Sequence, residues 1–183
     1  MKNVFLLIIS AFIIISCENS HKEDGKSNDP VIIGSVKMTG TDVMAPLHVG
    51  ETSNQQTWID YIKAHNERNL DKIAEINSND WIGYTPDGYV VKGTKAHIEA
   101  LDNWFQSTDP KWEVKWMIAN AAKNKDGIIE QWLTTGNDYT DVDENGNEIF
   151  EYNVHDVQFI DGKIKRINVY KRAKEQDLKE FSY

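Results

Sequence analysis

Two side chains in this chain of 183 residues combine chemistry with an apolar setting, His155 and Tyr61. His155 belongs to an alternating run in which Ile149, Glu151, Asn153, His155, Val157 and Phe159 share one strand face. An imidazole beside Val157 and Phe159 is a polar group in apolar surroundings, and once buried it needs a partner. It is also the side chain whose charge changes nearest neutral pH, which suits acid–base work. Tyr61 recurs with Trp58, Ile62 and His65 at helical spacing, so a hydroxyl, an indole and a second imidazole share one helix face. A hydroxyl and an imidazole converging within an aromatic pocket would orient a small ligand. His65 either lines that pocket or is a satisfied core histidine. Glu130 and Trp132 share a strand face, with Glu130 either an inward acid or an outward rim charge. The six tryptophans, at 58, 81, 104, 112, 116 and 132, form either a ligand cage or core.

Other chemistries find less support. Asp141-Val-Asp-Glu-Asn-Gly146 matches the first half of a calcium loop, yet Tyr152 stands where a bidentate carboxylate is needed and Glu151 comes one residue early. An acidic hairpin loop with an Asn-Gly turn accounts for the same residues without metal. No His-x-His or His-Glu-x-x-His spacing indicates zinc, and neither a Gly-rich phosphate loop nor a Gly-x-Ser-x-Gly elbow occurs. No cofactor or metal is expected.

The elements that must position these residues follow from local patterns. Ser53-Asn-Gln-Gln56 has capping-box spacing and predicts a helix to about Arg68. A short helix over Leu70 to Ile76 follows, then a strand near Trp81 to Thr85, which turns at Pro86-Asp87-Gly88. Thr94 is expected to cap a third helix with an apolar stripe of Ile98, Leu101, Trp104 and Phe105, stopped by Asp109-Pro110. From Lys111 the period becomes two, with Trp112, Val114, Trp116 and Ile118 expected on one face. Asp126-Gly127, Asn145-Gly146 and Asp161-Gly162 then mark successive hairpin turns. Helices followed by a meander predict an α+β domain over residues 53–173, its helices packed on one face of a curved antiparallel sheet that leaves an opening at one end.

Four segments carry a family resemblance: Tyr61-Ile-Lys-Ala-His-Asn-Glu-Arg-Asn-Leu-Asp71, Asp80-Trp-Ile-Gly-Tyr-Thr-Pro-Asp-Gly88, Gly93-Thr-Lys-Ala-His-Ile98 and Phe159-Ile-Asp-Gly-Lys-Ile164. In order and spacing they resemble the nuclear transport factor 2-like superfamily, near its SnoaL-like branch, across about residues 55 to 172. The resemblance implies a cone of three helices against a bent sheet, a pocket inside, and a homodimer through the sheet. Set against the ketosteroid isomerase group, it implies that Tyr61 and His155 stand at the two oxyanion-donor positions. Thr85, before Pro86, stands where that group has its general-base aspartate, and a threonine hydroxyl cannot act as a base near neutral pH. Steroid isomerisation is therefore not expected, whereas a polar-tipped pocket is, lined by Trp58, Tyr61, His65, Thr85, Trp132 and His155.

The N-terminus speaks to location. Val4 to Ile15 is apolar apart from Ser10, too short to span a bilayer and of signal-peptide length. It ends in Ile14-Ile15-Ser16-Cys17, which resembles the bacterial lipobox, so residues 1–16 read as a lipoprotein signal and Cys17 as the lipidated N-terminus of a membrane-anchored envelope protein. Cys17 is the single cysteine, so no internal disulfide can form. Residues 17–52 read as a polar tether in which Val31-Ile32-Ile33 could add an edge strand, and Lys22-Glu23-Asp24 looks like a surface-export signal. Residues 174–183 read as a tail. Removing residues 1–16 deletes Lys2 and changes the formal charge from −9 to 19 − 29 = −10, which disfavours nucleic acid as a partner. Three functions remain open: a binding module for a small, partly apolar molecule; an acid–base enzyme of the SnoaL type with His155 as the titrating group; or an interaction protein with a filled cone.

Overall fold

The computed structural model describes residues 30–38, 40–143 and 145–173, so the signal segment, Cys17 and the 174–183 tail lie outside the described residues. In chain order the elements are β1 (Ile32–Lys37), β2 (Met44–Val49), α1 (Ser53–Asn66), α2 (Leu70–Ile76), β3 (Asn77–Tyr84), β4 (Val90–Lys92), α3 (Thr94–Ser107), β5 (Lys111–Lys123), β6 (Ile129–Val142), β7 (Glu148–Ile160) and β8 (Lys163–Ala173). The strands form one curved sheet in the order β1-β2-β5-β6-β7-β8-β3-β4, against which the three helices pack as an α+β cone. The hairpins form where the turn pairs predict. Asp161 and Gly162 both have positive φ, 49° and 73°, as a type I′ turn requires.

Four local expectations are corrected. The sheet is mixed, because β3 runs parallel to β8. Parallel neighbours need a long crossover, here everything from β4 to β7, and no turn motif announces such a pairing. Within the expected tether over residues 17–52, the edge strand allowed at Val31-Ile32-Ile33 forms as β1 but runs on to Lys37, and it pairs with β2, which the tether reading did not include and which extends the sheet beyond β5 through His48 and Val49. α1 starts after Thr52 without a side-chain cap, so the capping box at Ser53 does not form. Thr94 is the first helical residue after Gly93 rather than the cap, and its hydroxyl donates to Ser78 O at 2.8 Å, tying α3 to β3.

The fifth difference is a bulge in β5 between Val114 and Trp116. One extra residue flips every later side chain to the opposite face. Trp112 and Val114 pack on the core as expected, but beyond the bulge Ala119 and Ala121 are buried while Trp116 and Ile118 point outward, 45% and 53% exposed. On β6 and β7 the alternation is unbroken. Leu133, Thr135, Asn137 and Tyr139 on β6, and Asn153, His155, Val157 and Phe159 on β7, are all buried beneath the helices.

Candidate functional site

The cone encloses a cavity of about 210 Å³. α1 contributes Trp58, Tyr61, Ile62 and His65, one turn apart on its buried face, as the periodicity predicts. α3 contributes His97, Ala100, Leu101 and Trp104; β3 and β4 contribute Trp81, Gly83, Tyr84 and Val91; and the sheet floor contributes Trp112, His155, Ile167 and Val169. α1 is registered against the sheet by Asn66. Its side-chain amide donates to Trp112 O at 2.8 Å and accepts from Trp112 N–H at 2.9 Å, pairing with the strand as another strand would.

Five of the six expected pocket residues line this cavity: Trp58, Tyr61, His65, Thr85 and His155. Trp132 does not. It falls on the even-numbered, outer face of β6, where its indole N–H reaches Glu130 at 3.4 Å, so Glu130 is an outward charge. Thr85 sits at the rim, and its hydroxyl oxygen accepts the Tyr89 N–H at 3.0 Å to close the turn after β3. That hydroxyl is thereby engaged as a turn acceptor.

His97 was not among the expected pocket residues. The signal was present, since His97, Leu101 and Trp104 fall at i, i+4 and i+7 on the buried stripe of α3. Its ring stacks flat on Trp81, with centroids 3.8 Å apart and planes 9° from parallel. Trp81 reaches that position by folding across Gly83, where an added Cβ would lie 2.4 Å from the indole. Glycine is therefore required at residue 83 for close approach.

The three histidines are each fixed through Nδ1. His65 Nδ1 lies 2.8 Å from Tyr61 O, His97 Nδ1 3.0 Å from Asn77 Nδ2, and His155 Nδ1 2.9 Å from Asn137 Nδ2. The partner that His155 needs is thus an asparagine on the neighbouring strand, not Tyr61. The Tyr61 hydroxyl is buried, and although the Trp81 indole N–H lies close enough to act on it, neither group makes a hydrogen bond of normal geometry. Tyr61 and His155 therefore do not satisfy each other within a closed core. The rings nevertheless form one cluster, with Tyr61 4.3 Å from His65 and Trp58 5.6 Å from Tyr61 and 5.2 Å from His155.

The electrostatics are uniform. Burial lowers His65 from its ordinary value to about 4, against the opposing pull of its bond to Tyr61 O and with help from the Arg68 charge. Burial, then repulsion from His65, lowers His97 and His155 to about 3. Burial likewise drives the Tyr61 phenol well above its ordinary value, with only partial offset from the Trp81 indole. Among the described residues, none that lines the cavity is Asp, Glu, Lys or Arg. The site is consequently a neutral, aromatic chamber with hydrogen-bonding edges. His155, expected to titrate, stays uncharged near neutral pH because no counter-charge offsets its desolvation. It can hold a hydrogen bond there, and its lowered pKa makes it a weak base.

The acidic Asp141–Gly146 segment is engaged in its own structure. Asp141 points inward and accepts from Tyr139 Oη at 2.7 Å and Asp109 N–H at 3.0 Å. Asp143 accepts the Asn145 and Asn147 N–H groups at 2.9 and 2.8 Å. Asp141 thus anchors the segment that leads into β5 and Asp143 closes the hairpin turn, and no group of three or more metal-ligating side chains forms among the described residues.

Neither a family model nor a curated protein matches the sequence. Solved structures do. A candidate ketosteroid isomerase from Kribbella flavida superposes with a TM-score of 0.53 at 12% identity, covering 72% of this chain and 91% of its own. An LEH-like epoxide hydrolase from M. tuberculosis gives 0.53 at 12% identity over 66% of this chain and 84% of its own. A candidate SnoaL-like polyketide cyclase from Shewanella denitrificans gives 0.52 at 15% identity over 67% and 92%. At such identities the likeness speaks for the fold, and the chain has the fold of the nuclear transport factor 2-like superfamily.

Proposed function

We propose that the protein binds a small, partly apolar molecule within the cone. One observation carries this reading: a cavity of about 210 Å³, almost wholly apolar, lined by the Trp58 and Tyr61 rings and by three histidines that burial keeps neutral. An empty apolar cavity of about 150 Å³ already accommodates benzene. A cone serving only as a scaffold for protein contacts would be expected to fill with side chains, because close packing is the rule in protein interiors. The enzyme reading receives less support, since the base position holds Thr85 and His155 is held neutral.

Binding is tested by thermal shift and titration with small neutral aromatic compounds. Tyr61→Phe and His155→Leu should each weaken binding by about 2- to 10-fold, as for loss of one hydrogen bond of roughly 0.5–1.5 kcal/mol, while the fold is retained. Unchanged affinity in both variants would remove these groups from the site. Wild-type protein should show no ketosteroid isomerase activity.

The same proposal places the protein in a bacterial envelope, anchored through a lipid on Cys17, on the strength of the apolar run and the motif at Ile14 to Cys17. Cys17→Ser should leave the protein unprocessed or soluble on membrane fractionation, and an unmodified Cys17 by intact mass would overturn the assignment. A homodimer through the outer sheet face belongs to the proposal too, supported by the outward Trp116 and Ile118. Analytical ultracentrifugation of wild type and Ile118→Glu tests it.

A further inference from the structure

We infer that the groove between the β1–β2 hairpin and the outer face of the sheet binds the zwitterion of a free α-amino acid, Arg166 taking its carboxylate and Asp156 its ammonium group.

The groove measures about 690 Å³, within the range of ligand clefts. It touches Ser35 to Met38 and Leu47 on the hairpin as well as Arg166 and Asn168 on β8. Three strands, β5, β6 and β7, lie between β2 and β8, so the hairpin must lean across the outer face to share a groove with them. This space has no lining residue in common with the cone cavity, and it leaves out Trp116 and Ile118. Register fixes the centre of its floor. Trp132 pairs with Gln158 and Gln158 with Arg166; two residues along, Thr134 pairs with Asp156 and Asp156 with Asn168. Asp156 therefore sits diagonal to both Arg166 and Trp132 on one face, within reach of long side chains and of a small ligand between them.

Most charges in this groove already hold partners. Lys37 pairs with Asp42 at 2.7 Å, Lys125 with Asp126 at 3.0 Å and Lys165 with Asp80 at 3.5 Å, while Glu130 accepts from Asn124 at 3.2 Å and Trp132 at 3.4 Å. Lys123 is exposed to solvent. Arg166 and Asp156 differ from these. Among the described residues the Arg166 guanidinium makes no ion pair or hydrogen bond, its Nε is buried without a partner, and the Tyr84 ring is its nearest recorded neighbour, 5.7 Å away. Asp156 accepts the Thr134 hydroxyl on one oxygen at 2.8 Å, and its other oxygen accepts from no described residue. Two opposite charges thus face one groove without joining each other. A guanidinium fork matches a carboxylate with two parallel hydrogen bonds, and a carboxylate oxygen accepts from an ammonium group. A molecule carrying both groups a few bonds apart satisfies the two together. A simple acid would set its charge beside Asp156, and a simple amine would set its charge beside Arg166. Gln158 and Asn168 flank Arg166 and add neutral donors, while Trp132, Leu47 and Val36 offer apolar surface to an aliphatic side chain. The cone cannot take this ligand, because no charged residue lines it among those described.

The test is calorimetric titration of the full-length chain in detergent with L-leucine, N-acetyl-L-leucine and L-leucinamide. Leucine should bind, and each analogue, which lacks one of the two charges, should bind at least about 10-fold more weakly. Arg166→Gln should remove the advantage of leucine over leucinamide. Asp156→Asn, which can still accept from Thr134, should remove its advantage over N-acetyl-leucine. Both positions lie on the outer face, so circular dichroism should show the fold retained. Equal affinity for leucine and N-acetyl-leucine would reduce the groove to an anion site, and equal affinity for leucinamide to a cation site. Either result overturns the inference, as does failure of leucine to bind the folded protein. So does a loss of melting temperature in each single variant that the double variant recovers, because Arg166 and Asp156 would then be each other's partner.

Discussion

The two faces of the sheet are built from the same strands, and their polar groups live under opposite rules. Around the cavity the polar groups are neutral: the three histidines are held uncharged by burial, and the Tyr61 hydroxyl makes no hydrogen bond of normal geometry. Outside, one residue further along each strand, polar groups are charged, paired and partly solvated. Thr134 donates to Asp156 at 2.8 Å, and Lys115 lies 3.2 Å from Asp138. The difference teaches where a ligand gains most. An unmet donor in a low-dielectric chamber is costly until something binds it, whereas exposed pairs are already solvated and contribute little.

Acid should expose the contrast most strongly. The folded-state values of His65, His97 and His155, about 4, 3 and 3, lie below the ordinary 6.5, so the unfolded chain binds more protons throughout that interval. Their contribution to stability is complete above about pH 6.5 and is lost as pH falls toward 4. Between pH 7 and pH 5 the expected loss is on the order of 2 kcal/mol per histidine, read by urea denaturation at both values. Equal stability at pH 7 and pH 5 would show that the interior tolerates charge.

Large-to-small substitutions should separate the faces next. Trp58→Ala, at a residue 1% exposed on the inner side, should destabilise by about 3–5 kcal/mol. Trp132→Ala, on the outer face of β6, should cost about 1 kcal/mol or less. Comparable losses in chemical denaturation would erase the distinction drawn here.

Glycines facing tryptophans sharpen it. Gly83→Ala would press a methyl group into buried Trp81 and disturb its stack on His97, costing about 1–3 kcal/mol. Gly136→Ala meets Trp116 in the same way, at 2.2 Å from Nε1, but that indole is 45% exposed and can swing toward solvent, so the effect should be smaller. Melting temperatures of the two variants decide the order.

The smallest effects belong to the polar pairs. Asn137→Ala leaves the buried Nδ1 of His155 unmet and should cost about 1–3 kcal/mol. Thr134→Val removes a hydroxyl from Asp156, which water can replace, and should cost less than about 1 kcal/mol. A larger loss for Thr134→Val would place the more demanding polar network outside the cone.

The sequence by itself determined what depends on neighbours along the chain. Helical spacing placed Trp58, Tyr61, Ile62 and His65 on one buried face, and strand alternation placed His155 with Val157 and Phe159. The Asp-Gly and Asn-Gly pairs located the hairpins because positive φ is a local requirement. Tertiary structure decided what depends on register and on distant partners. A single inserted residue in β5 turned Trp116 and Ile118 outward, and strand phase put Trp132 on the outer face, neither visible in residue types. The parallel joining of β3 to β8 brought Trp81 and Gly83 alongside Ile167. Packing alone paired His155 with Asn137, stacked His97 on Trp81 and left the Tyr61 hydroxyl unmatched. Periodicity reports which face a side chain is on, but its charge state and hydrogen-bonding role depend on the groups that the fold sets against it.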